Sequence, residues 1–208
     1  MEHIRAFIGI PLPPAYQDGL AALGPALAAA APSGLGLTRP GAWHLTLKFL
    51  GDIPRQGPGG VEAVARTLEG VAWEGFALRG GGGGFFPGPG RPRVVYVGLA
   101  EGGPACRELA ARVEAALAPL GVAPEGRAFT PHLTVARVRD DRGRRKGRGS
   151  WDEVAGRLAG AVWPRCAVDR FVLFRSVLGP RGPRYEVLRE FLAGGGRVTA
   201  GAGEAGRS

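Results

Sequence analysis

Apolar and polar residues alternate over two short stretches, His44-Leu45-Thr46-Leu47 and His132-Leu133-Thr134-Val135. In an extended strand successive side chains point to opposite faces, so each stretch offers an imidazole and a hydroxyl on one face and two aliphatic side chains on the other. The pattern elsewhere predicts elements in a repeating order. Residues 4–12 are rich in β-formers and stop at a proline cluster, which predicts a strand and a turn. Pro14 suits the first turn of a helix through Tyr16, Leu20 and Leu23, and Pro25 is expected to break or kink it. Residues 34–41 read as a loop that delivers the first motif strand. After a turn over 51–60, Val61, Val64, Ala65 and Leu68 recur at helical spacing, and 73–78 read as a strand. The glycine-rich tract at 80–92 is expected to be an irregular, mobile loop.

The same order then returns. Residues 93–99 read as a strand, Pro104 opens a helix through Leu109, Val113 and Leu117, and Gly121 ends it before a loop into the second motif. Arg5 stands 39 residues before His44 and Arg93 stands 39 before His132, so an offset of 88 relates the halves. Ser150 and Glu153 make a capping-box pattern ahead of a helical face of Val154, Leu158 and Val162. Residues 168–178 and 184–192 read as closing strands joined by a Gly- and Pro-rich turn. The expected architecture is α+β: two copies of β-α-β-α-β plus one extra strand, in a duplicated bilobal fold. Two antiparallel-rich sheets with outer helices would flank a central cleft. Residues 1–193 are expected to form one bilobal domain. The Arg-rich segment 139–149 reads as a solvated loop able to meet a polyanion, and 194–208 as a disordered tail with little to bury.

Composition narrows the classes. Of the 208 residues 45% are hydrophobic and 22% charged, which is ordinary for a soluble globular protein. The net charge of +9 rests on arginine, because Lys48 and Lys146 are the only lysines. Such a field favours a polyanionic partner, although an arginine-rich coding bias gives the same totals. Cys106 and Cys166 show neither CxxC spacing nor the density of a disulfide scaffold, so a reduced, cytoplasmic setting is expected. The N-terminus lacks the features of a signal peptide, and the apolar run at 20–32 is too short to span a bilayer, so no membrane association is expected. No His-Glu-x-x-His, paired CxxC or Walker loop is present. No metal site and no cofactor are therefore expected.

Chemistry converges on the two motifs. Only three histidines occur, and two fall in the matching tetrapeptides, whereas His3 has no such context. A lone histidine on a strand is more often structural. A pair at equivalent places of a duplicated unit is not explained that way. With an unperturbed pKa of about 6.5, one ring can be neutral and the other protonated, as acid–base catalysis at a phosphate requires. Thr46 and Thr134 would hold the phosphoryl oxygens, although β-propensity alone accounts for threonine in a strand. Lys48 shares the His44 face by parity, where it either adds positive charge or is simply solvated at the surface. Arg137 falls by parity on the face opposite His132 and needs a twist or bulge to reach phosphate. Phe7, on the neighbouring strand, either stacks a base or fills the core.

The His-x-Thr-x pair resembles the signature of the 2H phosphoesterase superfamily. The surrounding Trp43-His-Leu-Thr-Leu-Lys-Phe-Leu-Gly51 and Phe129-Thr-Pro-His-Leu-Thr-Val-Ala-Arg137 resemble its branch of RNA 2′,3′-cyclic phosphodiesterases, historically called 2′-5′ RNA ligases. The likeness runs over roughly residues 4–192, through Ser176, the following turn and Tyr185. It departs at 80–90 and 139–149, which leaves substrate length and preference open. The resemblance implies hydrolysis of RNA 2′,3′-cyclic phosphate ends to 2′-phosphomonoesters, with His44 as proton donor, His132 as proton acceptor and Arg137 on the substrate. It also implies a reversible, ATP-independent joining of such ends to a 5′-hydroxyl. The residues by themselves leave the acid and base roles open. Alternatives are a phosphodiesterase acting on a small cyclic nucleotide or ADP-ribose cyclic phosphate, and a non-catalytic module that grips RNA ends. The expected partner is RNA with a 2′,3′-cyclic phosphate end, and the expected state a monomer.

Overall fold

Leu45 pairs with Leu133 at the middle of the molecule, and this antiparallel register joins its two halves into one sheet. The computed structural model describes residues 2–139, 149–179 and 182–195. Strands are β1 (His3–Pro11), β2 (Leu35–Leu37), β3 (His44–Pro54), β4 (Phe76–Phe86), β5 (Val94–Glu101), β6 (Leu133–Val138), β7 (Arg165–Val168), β8 (Arg170–Gly179) and β9 (Gly182–Leu192). Helices are α1 (Pro14–Ala30), α2 (Val61–Glu69), α3 (Gly103–Leu117) and α4 (Trp151–Gly160). The strand order is β7-β4-β5-β6-β3-β1-β8-β9, with β2 paired to β6.

Two antiparallel halves are present, but they are not the two halves of the sequence. β4, from the first copy, pairs with β5 of the second, and β8, from the second copy, pairs with β1 of the first. The short link between β4 and β5 makes them neighbours, as consecutive antiparallel strands usually are. Each half of the sheet is therefore completed by the other copy's last strand. The offset of 88 holds between the motif strands, whereas Ile10 faces Leu45 and Val97 faces Leu133, an offset of 87. The equal spacing of Arg5 and Arg93 is thus not an equality of register.

Local sequence explains most elements. Tyr16, Leu20 and Leu27 form the fully buried stripe of α1, and Val64, Ala65 and Leu68 that of α2. α1 runs through Pro25 to Ala30, so the break, one of the two outcomes expected there, does not occur. Pro25 lies on the exposed side, so the carbonyl it leaves without a donor, that of exposed Ala21, meets water. The Ser150 hydroxyl accepts from the Glu153 N–H and starts α4, which ends at Gly160 and leaves Val162 outside the helix and 94% exposed. The first loop contains β2, and the strand expected over 168–178 is two strands broken at Asp169.

The largest correction concerns the glycine tract. Residues 80–86 belong to β4 and pair with β5, with the ladder interrupted between Gly80 and Gly83, where Gly82 has a φ of 61°. The missing side chains make room for neighbours. A Cβ on Gly80 would lie 2.8 Å from Trp163 Cγ, and one on Gly84 would lie 2.8 Å from the Tyr96 hydroxyl. The Gly80 N–H donates to the Tyr16 hydroxyl at 2.8 Å, and that hydroxyl donates to the Pro164 carbonyl at 2.7 Å, fastening α1 to the strand. The Arg-rich segment over 140–148, the turn residues 180–181 and the tail over 196–208 lie outside the described residues.

Candidate functional site

The Leu45–Leu133 pair fixes the site's geometry. In an antiparallel ladder the flanking residues oppose each other, which sets His44 beside Thr134 and Thr46 beside His132, on the face away from the buried leucines. Directly opposed Cβ atoms lie about 5 Å apart and diagonal neighbours roughly 7–8 Å. The two imidazoles thus stand diagonally, near enough for the charge of His132 to act on His44. Both rings are latched alike. His44 Nδ1 lies 2.9 Å from the Ala42 carbonyl and His132 Nδ1 lies 2.7 Å from the Thr130 carbonyl. A carbonyl can only accept, so Nδ1 carries the proton in each ring and Nε2 is left to exchange protons at the open face.

A bulge follows each motif at the same place. Gly9 faces Thr46 and Ile8 faces Lys48, so Leu47 is the extra residue of β3; Tyr96 faces Thr134 and Val95 faces Ala136, so Val135 is the extra residue of β6. The next residue is thereby turned inward and the one after it returns to the histidine face. In β6 this brings Arg137 to the cavity wall that Thr134 also lines. In β3 it overturns the parity expectation for Lys48, which is 2% exposed and points away from the cleft. Its Nζ donates to the Ala123 carbonyl at 2.7 Å and faces Glu114 and Glu125 at 3.5 and 3.8 Å. Phe49, 58% exposed, takes the place on the cleft face.

Aromatic rings bed both histidines. Phe7 is buried with Val172 and Phe174, its ring centre 4.6 Å from that of His44, and Tyr185 meets His44 edge-on at 5.0 Å. Phe7 therefore supports the imidazole, and the exposed ring on this side is Phe49. Under His132, Phe86 and Tyr96 stack on each other at 4.3 Å, and Phe86 meets the imidazole edge-on at 4.9 Å. This burial depresses both pKa values. His44 is lowered to about 4, chiefly by desolvation, with the Ala42 carbonyl opposing and the charge of His132 adding to the shift. His132 is also lowered by burial, against the Thr130 carbonyl and helped by Arg137.

A cavity of about 570 Å³ opens on the His44 side, lined by Phe7, His44, Thr46, Phe49, Thr134 and Arg137, with Ser176 and Tyr185 opposite. His132 is not part of its wall. A hollow of about 690 Å³ at the end of α2 and along α3, lined by Glu69, Trp73, Glu108 and Arg112, holds none of these groups. His44 and the hydroxyls of Thr46 and Thr134 therefore mark the smaller of these two cavities as the site. Among the described residues, no three or more His, Cys, Asp or Glu side chains are placed to hold a metal ion. No described helix is long and apolar enough to cross a membrane. Sequence reasoning missed Phe49, Phe86 and Tyr96 as site residues, and also Arg39, which lines the same cavity. Phe49 was legible in principle, since it stands 88 residues before Arg137. The bulge required for one motif applied equally to the other.

A family model described as the 2′-5′ RNA ligase superfamily matches residues 26–179. The chain is 34% identical over 157 residues to an RNA 2′,3′-cyclic phosphodiesterase of Aeropyrum pernix, covering 75% of this chain and 85% of that protein. A protein of the same name from Methanothermobacter thermautotrophicus is 32% identical over 189 residues, covering 90% and 98%. Among solved structures, TT0787 of Thermus thermophilus aligns with a TM-score of 0.66 at 30% identity, over 91% of this chain and 97% of that one. Escherichia coli LigT complexed with 3′-AMP aligns with a TM-score of 0.70 over 93% and 99%, a likeness of fold at 22% identity.

Proposed function

The chain belongs to the 2′-5′ RNA ligase superfamily, and from that premise we propose that it hydrolyses 2′,3′-cyclic phosphate ends of RNA to 2′-phosphomonoesters by two-histidine catalysis. The observation that carries this reading is the pair of identically latched imidazoles set diagonally about Leu45 and Leu133. His132 Nε2 takes a proton from water as its oxygen attacks phosphorus. The bond from phosphorus to the 3′-oxygen breaks, and that oxygen takes the proton from His44 Nε2. Solvent then resets both rings. Thr46, Thr134 and Arg137 stabilise the charge gathering on the non-bridging oxygens.

The cavity supports this division of roles. The leaving oxygen belongs to the nucleoside, and the roomy, partly apolar side of the cleft is the His44 side. A donor at His44 must be protonated although burial disfavours it, and the bound phosphate anion supplies the countercharge. With an RNA 5′-hydroxyl in place of water, the same two proton transfers form a 2′-5′ linkage and need no ATP. The test is an oligonucleotide ending in a 2′,3′-cyclic phosphate, incubated with the protein and EDTA, with the products resolved. A 2′-phosphate formed at the same rate with and without EDTA is expected. Binding without turnover would reduce the protein to an RNA-end-binding module, and a 3′-phosphate product would reverse the assignment of the broken bond.

A further inference from the structure

The cavity beside His44 carries three guanidinium groups, Arg5, Arg39 and Arg137, and no carboxylate. Elsewhere many arginines are neutralised: Arg55 by Glu2, Arg112 by Glu108, Arg165 by Glu101 and Arg189 by Glu62 and Glu69. Among the described residues Arg5, Arg39 and Arg137 form no ion pair. One phosphate between the histidines accounts for Arg137, whose charge already acts on His132. It leaves Arg39 and Arg5, the latter opposite Asp52 in the β1–β3 ladder but not ion-paired to it, without a role. Arg5 belongs to β1, on the far side of β3 from Arg137, and acts together with Arg137 on the Tyr185 hydroxyl. Arg39 lies over the start of β9, its Nε 3.9 Å from where a Cβ on Gly182 would sit. Between them the wall exposes Leu37, Phe49 and Leu178, three of the five large exposed hydrophobics among the described residues. Cations alternating with bare apolar surface suit a strand of phosphodiesters and bases.

We infer that Arg5 and Arg39 bind the phosphodiesters adjoining the cyclic end, so that the preferred substrate is the end of a polynucleotide chain and not a mononucleotide. This assignment rests on the phosphodiesterase reading above and adds the length of chain the site engages. Both side chains act at solvent-open positions, where one such contact contributes up to about fivefold and two up to about 25-fold. Each also releases counterions, with a slope in log salt of about 0.7 per single-stranded phosphate.

The experiment compares kcat/KM for adenosine 2′,3′-cyclic phosphate with that for a trinucleotide ending in a 2′,3′-cyclic phosphate. The proteins are wild type, the R5A/R39A double variant and its charge-retaining counterpart R5K/R39K. Wild type is expected to prefer the trinucleotide at least tenfold. R5A/R39A is expected to lose most of that preference and about 1.4 units of salt slope on the trinucleotide, and R5K/R39K to keep most of both. Equal turnover of the two substrates by wild type, or equal losses on both in R5A/R39A, would overturn the assignment and leave the phosphodiesterase reading standing. Turnover of neither substrate by wild type would overturn both.

Discussion

Replacing Lys48 with methionine separates the buried role seen here from the substrate contact that strand parity suggests. Met keeps the length and packing of the side chain but removes the ammonium. The 2.7 Å hydrogen bond to the Ala123 carbonyl is lost, and a hydrogen bond from a charged donor contributes about 1.5–3 kcal/mol. The ion pairs to Glu114 and Glu125 add less, because those side chains are 35% and 43% exposed and can return to water. Relief from burying a charge offsets part of the loss. The expected net cost is about 2 kcal/mol, or about 4–8 °C in Tm for a chain of this size. The same contacts tie β3 to the segment that leads into β6, where the Glu125 N–H also donates to Glu114 at 3.1 Å. The measurements are a thermal melt and kcat/KM on a cyclic-phosphate oligonucleotide below the melting range. A lower Tm with kcat/KM within about threefold is expected. An unchanged Tm with kcat/KM reduced tenfold or more would refute the reasoning and return Lys48 to the cleft.

The pH profile of kcat/KM, which reports the free enzyme, should be a bell centred below the ordinary imidazole value of about 6.5. Both histidines are depressed, His44 to about 4. Activity falls on the alkaline side as the donor loses its proton and on the acid side as the acceptor gains one. The profile of kcat should lie at higher pH, because bound phosphate raises both; a kcat/KM optimum above pH 7.5 would contradict the burial argument. Gly83→Ala is expected to lower Tm by several degrees, because its Cβ would strike the Tyr96 carbonyl and press on Leu158. Gly88→Ala, with open space around it, should leave Tm within about 1–2 °C. Equal melts for the two variants would mean that residue 83 is not in a packed strand.

How much of this was legible depended on whether neighbours or local pattern decided each element. The amphipathic stripes of α1 and α2, the Ser150 cap and the two motif strands follow from their own residues. The glycines at 80–84 do not. Nothing local says that Trp163, Ala100 and Tyr96 fill the space where side chains would stand. Exchange of the last strands between the two halves is equally invisible to a reading that assigns each repeat its own lobe. Strand parity failed only across the bulges, where it mis-set Lys48 and left Phe49 unseen. Register is a property of the pair of strands, and only Arg137 gave a chemical reason to suspect an inserted residue.

The central claim is that two imidazoles act as one acid–base unit on one phosphorus atom. Its most direct test is kcat for the cyclic-phosphate oligonucleotide with His44→Ala, His132→Ala and the double variant, each checked for an unchanged melt. Each single substitution is expected to cost about 10²–10⁴-fold, and the double variant little more than the worse single, because residues that work as a unit are not additive. Wild-type turnover in either single variant, or multiplicative losses in the double, would contradict the account.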